Sequence, residues 1–279
     1  RSTPKPSSAA SDVYKRQAHR QVTLTDSKLS TSIERLSSGL KINKAKDDVA
    51  GLAIANKFRN ELRSLRKAQE NAAQATAMLQ VAEGGASRIE EIIERLKELA
   101  TQAASSNTDS DGRTRLNAEA AELLEEIDRI ANDTKYSDTQ LINASKTFTF
   151  QIGSYNTATQ DVITVGISDG LLTTDLGIDD INLTTLASAS AALDDIDAAL
   201  TSVNVILGEI GAGQSRLDFA TANLGVSVEN IAASESTIRD VDMAFEMVNF
   251  TRHQIMLQAG TAMLAQANMA PQQVLALFA

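Results

Sequence analysis

The stretch Leu65–Ala103 reads LRKAQENAAQATAMLQVAEGGASRIEEIIERLKELATQA. Within it Leu65, Ala68, Ala72, Ala75, Leu79, Ala82, Ala86, Ile89, Ile93, Leu96, Ala100 and Ala103 follow one another at alternating spacings of three and four. That is the period of a coiled-coil seam, and it predicts one long helix with a single buried stripe. At a rise of about 1.5 Å per residue the stretch would extend roughly 58 Å, longer than a small globule needs. Gly84 and Gly85 interrupt the helix at a cost of about 1 kcal/mol each, which packing must offset.

The same period returns later at Leu193, Ile196, Leu200, Val203, Leu207, Ile210, Gln214, Leu217, Thr221, Leu224, Val228 and Ile231, with only Gln214 and Thr221 polar. A shorter helix between the two shows Leu116, Ala120, Leu123, Ile127 and Ile130. Seams this regular are expected to bury one another in an elongated bundle. Where the period changes, Thr147–Ile152 and Asp161–Ile167 alternate or run β-branched around GSYNTATQ, which predicts a β-hairpin with a loose connection. The fold class is therefore mainly α, an elongated helical bundle or coiled coil with a small β-hairpin region near 147–167. The order is helix, long helix, helix, hairpin, long helix, helix.

Composition supports this. Hydrophobic residues make up 43% of the 279, yet the aromatics are only seven Phe and three Tyr with no Trp, so the core is built from Ala, Leu, Ile and Val. The three prolines are Pro4, Pro6 and Pro271, and none would kink the helices between. The absence of Cys excludes a disulfide framework and a zinc–thiolate site. Formal charge is −10 and uneven: Ala18–Ser105 stands at +3 and Ser106–Ala279 at −16. With no aromatic-interleaved basic patch, nucleic acid is not an expected partner. The asymmetry suits early helices facing later ones, within or between subunits.

The two ends carry a different signal. Leu29, Ile33, Leu36 and Leu40 form a stripe that stops at Ser38-Gly39, and a charged connector leads to a new helix at Val49. Asp47 and Asp48 before that helix are expected to cap it rather than to do acid/base work. At the other end, from Gln254 to Ala279, no side chain is charged, though about a quarter of ordinary residues are. A membrane span is excluded by Gln254, Gln258, Gln266, Asn268, Gln272 and Gln273, too many amides for about 20 apolar residues in a row. Burial inside an assembly is the better reading. The expected segments are a leader at 1–17, a helix and connector at 18–48, a rod of long helices with the hairpin at 49–236, and a C-terminal helix at 237–279.

Ser7–Gln17, SSAASDVYKRQ, resembles the translation of a transposase sequencing adaptor in one frame. It is expected to be a library artefact joined to a truncated gene, without ordered structure, and it lacks the apolar run of a signal peptide. Asn107, Asp109, Asp111 and Gly112 imitate the first half of an EF-hand loop, but the twelfth position is Ala118, so a polar turn is expected. His19 and His253 are far apart, and no nucleophile has a base partner, so no catalytic, cofactor or metal site is expected.

Several blocks in order resemble bacterial flagellin: LSSGLKINKAKDDVAGLAIANKFR, RLKELATQA (Arg95–Ala103), EIDRIANDTKY (Glu126–Tyr136), FQIG (Phe150–Gly153) and the C-terminal tail. The resemblance covers Ala18–Ala279 and implies a filament subunit, in a short form without large outer variable domains. It implies an inner coiled-coil layer packed through Leu29, Ile33, Leu36, Ile255, Leu257, Met263, Leu264, Val274 and Leu275. It further implies a secreted, extracellular homopolymer, with an export chaperone, a cap and hook-associated proteins as partners and no cofactor. By the same resemblance Arg95, Leu99 and Glu119 match the contact through which a vertebrate Toll-like receptor senses such proteins. Arg95 and Leu99 lie one position off the seam, and a stripe there would also suit packing against the next subunit. The alternative within the resemblance is a hook–filament junction protein; outside it, a soluble coiled-coil module that forms a small oligomer.

Overall fold

The computed structural model describes the backbone of residues 6–155, 157 and 160–277, and side chains from 13 to 269 within that span. Its helices are α1 (Pro6–Ser38), α2 (Val49–Ala103), α3 (Ser110–Asp133), the single turn α4 (Thr173–Leu176), α5 (Leu186–Arg239) and α6 (Met243–Leu277). Four short strands complete it: β1 (Lys135–Tyr136), β2 (Thr139–Gln140), β3 (Lys146–Gln151) and β4 (Val162–Ile167). The chain is mainly α, in the order expected.

Two compact units are present. One comprises Arg1–Asn60 with Asn230–Ala279, the other Glu61–Glu229, so α2 and α5 each contribute residues to both.

In the Glu61–Glu229 unit the seam of α2 is buried from Leu65 through Ala103 as its spacing demands. α5 runs antiparallel to α2: Lys97 pairs with Asp197, and Gln214 Nε2 donates to Glu83 at 2.8 Å. The buried residues of α5 include Ala192, Ala199, Ile206 and Gly213 as well as Ile196, Val203, Ile210 and Leu217. The line at Gly213 has a steric reason. A Cβ there would lie 2.8 Å from Val165 and 3.2 Å from Leu79, so only glycine lets β4 and α2 approach. By composition α5 is long and apolar enough to cross a membrane; here those apolar residues form a core stripe.

β3 and β4 pair antiparallel with Lys146 opposite Ile167 and Gln151 opposite Val162. Alternation sets the faces: Ile163, Val165 and Ile167 point into the core, while Phe148 and Phe150 cover it from β3. β3 begins and ends one residue before the expected Thr147–Ile152, and β4 begins one residue after the expected Asp161. β1 and β2 form a second, two-residue pair around Ser137, whose φ of 55° is left-handed. α3 joins the same core through Ala120, Ile127 and Ala131. Asp128 holds α4 by accepting from Thr173 N at 2.8 Å and Thr173 Oγ1 at 3.0 Å.

In the other unit α1 and α6 pack antiparallel, as Arg35 beside Glu246 and Val22 beneath Gly260 require. The covered positions of α1 are Lys15, Ala18, Val22, Thr25, Leu29, Ser32 and Leu36; those of α6 are Glu246, Phe250, His253, Leu257, Gly260, Leu264 and Ala267. Both sets alternate threes and fours, so the pair is a coiled coil with small and polar knobs. α1 ends where expected: Gly39 has φ 71°, and its N–H donates to Arg35 O at 2.8 Å.

The expectation of an unordered Ser7–Gln17 is corrected, because α1 begins at Pro6. Proline at the first helical position is pre-set in φ, and Ala9, Ala10, Lys15, Arg16 and Gln17 are good helix formers. Residues 1–5 lie outside the described residues.

Candidate functional site

The ends of the chain meet at a polar junction. Lys41 N donates to Arg239 O at 2.7 Å and Val241 N to Gly39 O at 3.0 Å, joining the segments that follow α1 and α5. Around this junction Arg35 lies 3.7 Å from Glu246, Arg59 3.3 Å from Glu235, and Arg239 3.9 Å from Glu235. Glu246 is only 4% exposed, and Arg35 is the cation placed beside it. Sequence reasoning misses this cluster: Arg59 and Glu235 stand 176 residues apart, Arg35 and Glu246 farther still, and each reads alone as a surface charge.

The capping residues behave as their types predict. Asp48 accepts from Gly51 N at 2.9 Å at the start of α2. Asp47 instead accepts from Lys44 N at 2.9 Å and Asn43 N at 3.2 Å, closing the connector. The Lys44 N–H holds the Asp47 carboxyl below the usual range, with Asn43 assisting. Asp109 caps α3 by accepting from Gly112 N, so the EF-hand-like run is a helix start. Among the described residues no group of three or more His, Cys, Asp or Glu is placed to hold a metal.

The expected inner-layer residues divide into two sets. Leu29, Leu36, Leu257 and Leu264 are half-buried in the α1–α6 seam. Ile33, Ile255 and Met263 point away from it, with Ile33 50% and Ile255 60% exposed. Val274 and Leu275 lie in α6 by backbone, but their side chains are outside the described residues. Phe245, Met247, Val248 and Met256 join the exposed set. A pair of helices that spends Thr25, Ser32 and Gly260 on its own seam while leaving Phe, Ile and Met in water presents an apolar exterior to be covered.

Arg95, Leu99 and Glu119 are brought together, but unequally. Arg95 Nη2 and Nε donate to Glu119 Oε1 at 2.9 and 3.2 Å, and Nη1 donates to Glu98 at 2.7 Å. Glu98 first and Glu119 second raise the guanidinium above its ordinary range. Leu99 is 1% exposed. The expected flanking stripe is corrected at that position, because the buried face there is wider than the seam and takes in Leu99.

Regular helical seams, an exterior of α1 and α6 rich in exposed Phe, Ile, Val and Met, and no nucleophile–base constellation among the described residues define a self-assembling helical structural protein. Comparison with known proteins makes that specific. The bacterial flagellin N-terminal helical region matches residues 11–147, and the flagellin C-terminal helical region matches residues 193–278. This chain belongs to the bacterial flagellin family. It is a structural subunit of the flagellar filament and not an enzyme. A flagellin of Halalkalibacterium halodurans is 38% identical over 261 residues, 93% of this chain and 95% of that one. Flagellin FlaB2 of Treponema pallidum is 36% identical over 266 residues, 91% of this chain and 93% of that one. A solved structure described as a flagellar hook-associated protein from Vibrio parahaemolyticus shares the fold, with TM-score 0.57 over 70% of this chain and all of that one at 12% identity. That likeness is one of fold alone and does not favour the hook–filament junction reading.

Proposed function

We propose that this flagellin polymerises with copies of itself by burying the exterior of its α1–α6 coiled coil, and that it does so outside the cell after secretion. The observation that carries this is the exposed set Ile33, Phe245, Val248, Ile255 and Met263 on a helix pair whose own seam includes Thr25, Ser32, Glu246 and Gly260. Each such side chain contributes about 1.5–3 kcal/mol when it leaves water. A surface of this kind is complementary to sibling subunits and to the partners of the family: an export chaperone, a cap and hook-associated proteins. Replacing Ile33 or Ile255 with Asp tests it. Polymerisation should fail while the thermal unfolding of the Glu61–Glu229 unit stays unchanged; normal filaments from Ile255→Asp would remove the basis of the reading.

Recognition of the free monomer by a vertebrate flagellin-sensing Toll-like receptor is the second proposal, supported by the paired Arg95 and Glu119 on the surface of α2 and α3. In it Leu99 acts from beneath, by holding the helix that presents Arg95. Receptor signalling by Arg95→Ala monomer should fall steeply, and unchanged signalling would count against the reading.

A further inference from the structure

In the Glu61–Glu229 unit the most exposed of the large apolar side chains is Phe219 on α5, at 76%. Ala212, Ser215 and Ala222 beside it are exposed and small, Val226 two turns on is exposed as well, and Arg216 turns to Thr164 O, so the ring stands uncovered. Gly208 and Gly211 lie on the same outer side, and a Cβ at either would touch nothing. Helical glycine costs about 1 kcal/mol relative to alanine, and no packing within the chain repays it here.

The same unit carries a recess. Between β3 and α2 lies a cleft of about 250 Å³ whose apolar walls are Ala75, Met78, Tyr136 and Phe150 and whose other lining residues, Gln74 among them, are polar. An adjoining cleft shares Asn71 and Gln151 and reaches Lys67. Knob and recess stand at one height. Gly213 lies over Leu79, and the helices are antiparallel, so Phe219, six residues on, is level with roughly the Ala73 turn of α2.

Charge selects the occupant. α5 carries seven acidic and two basic residues, with Asp218 beside the ring. The α2 segment leading to the cleft, Glu61–Glu70, carries Arg63, Arg66 and Lys67 against two glutamates. An acidic helix bearing an apolar knob and a basic approach to an apolar hole, both on one subunit, are the two halves of a heterologous contact.

We propose that Phe219 of one subunit seats in the Ala75–Met78–Tyr136–Phe150 cleft of a laterally neighbouring copy, with Asp218 facing Arg63 and Lys67 across the contact. The inference rests on the filament reading and assigns one interface within it. A contact of this kind joins different patches, so it propagates instead of closing into a dimer.

The chain has no cysteine, which makes the test clean. Phe219→Cys and Gln74→Cys variants are assembled together on seeds of the parent protein and oxidised. Disulfide-linked dimers are expected from the mixture and from neither variant alone. Phe219→Ala should raise the critical concentration for assembly about thirty-fold, the effect of losing a central anchor, without moving the unfolding midpoint of the monomer. Dimers from Phe219→Cys alone, no dimers from the mixed filaments, or an unchanged critical concentration for Phe219→Ala would each overturn the assignment. Failure of the parent protein to polymerise would instead overturn the filament reading on which it stands.

Discussion

Replacing Leu99 with Ala separates packing from recognition at the Arg95 cluster. Leu99 is 1% exposed and belongs to the core shared by α2, α3 and α5. Truncation removes buried methyl groups and leaves a cavity, because helices held on both sides cannot collapse inward; such changes cost about 2–5 kcal/mol. For a cooperative unit of this size each kcal/mol lowers the midpoint by about 2–4 °C, so a loss near 3 kcal/mol means a fall of about 6–12 °C. The assay is thermal unfolding of monomer followed by circular dichroism at 222 nm, with Arg95→Ala as the companion. Arg95 bonds Glu98 and Glu119 at the surface, where ion pairs are weak, so its variant should unfold close to the parent. A Leu99→Ala midpoint within 2 °C of the parent would refute the argument that the side chain is part of the core.

Adjacent glycines should respond in opposite senses. Gly84→Ala meets nothing within 4 Å and should raise the midpoint by about 2–4 °C through helix propensity, whereas Gly85→Ala places its Cβ 2.5 Å from Thr134 Oγ1 and should lower it. Glu246→Ala leaves Arg35 without its partner at the α1–α6 junction and should cost about 1–3 kcal/mol, read as faster hydrogen exchange in α1 and α6 with the Glu61–Glu229 unit unaffected. Arg129 holds the Glu126 carboxyl below the ordinary range. Its contribution to stability is therefore complete above the unfolded-state value of about 4.3 and is lost as pH falls through the lower folded value, so an Arg129→Ala variant should lose stability above that pH and converge with the parent in stronger acid.

How much could be read beforehand follows from which residues speak for themselves. The Leu65–Ala103 seam is legible because every second contact is a methyl-bearing residue at coiled-coil spacing, and it is buried as read. The second buried line of α5, through Ala192, Ala199, Ile206 and Gly213, was not legible: small residues look neutral until a neighbour's close approach demands them. For the same reason the intramolecular α1–α6 seam was not legible, and Ile33 stands outside it. Thr25 and Ser32 take the covered positions, and a pattern that seeks large apolar side chains selects the exposed one. The β1–β2 pair is two residues per strand, too short to show alternation. Motif resemblance located Arg95, Leu99 and Glu119, but only the packed core reveals that Leu99 is inside.

The central claim is that the exposed apolar side chains of the α1–α6 pair are covered by sibling subunits. Its most direct test adds the full chain to sheared filament seeds and measures pelletable protein by sedimentation, with electron microscopy of the pellet. The account predicts long filaments whose elongation is abolished by Ile255→Asp. A parent protein that stays in discrete dimers or trimers in the presence of seeds would contradict it.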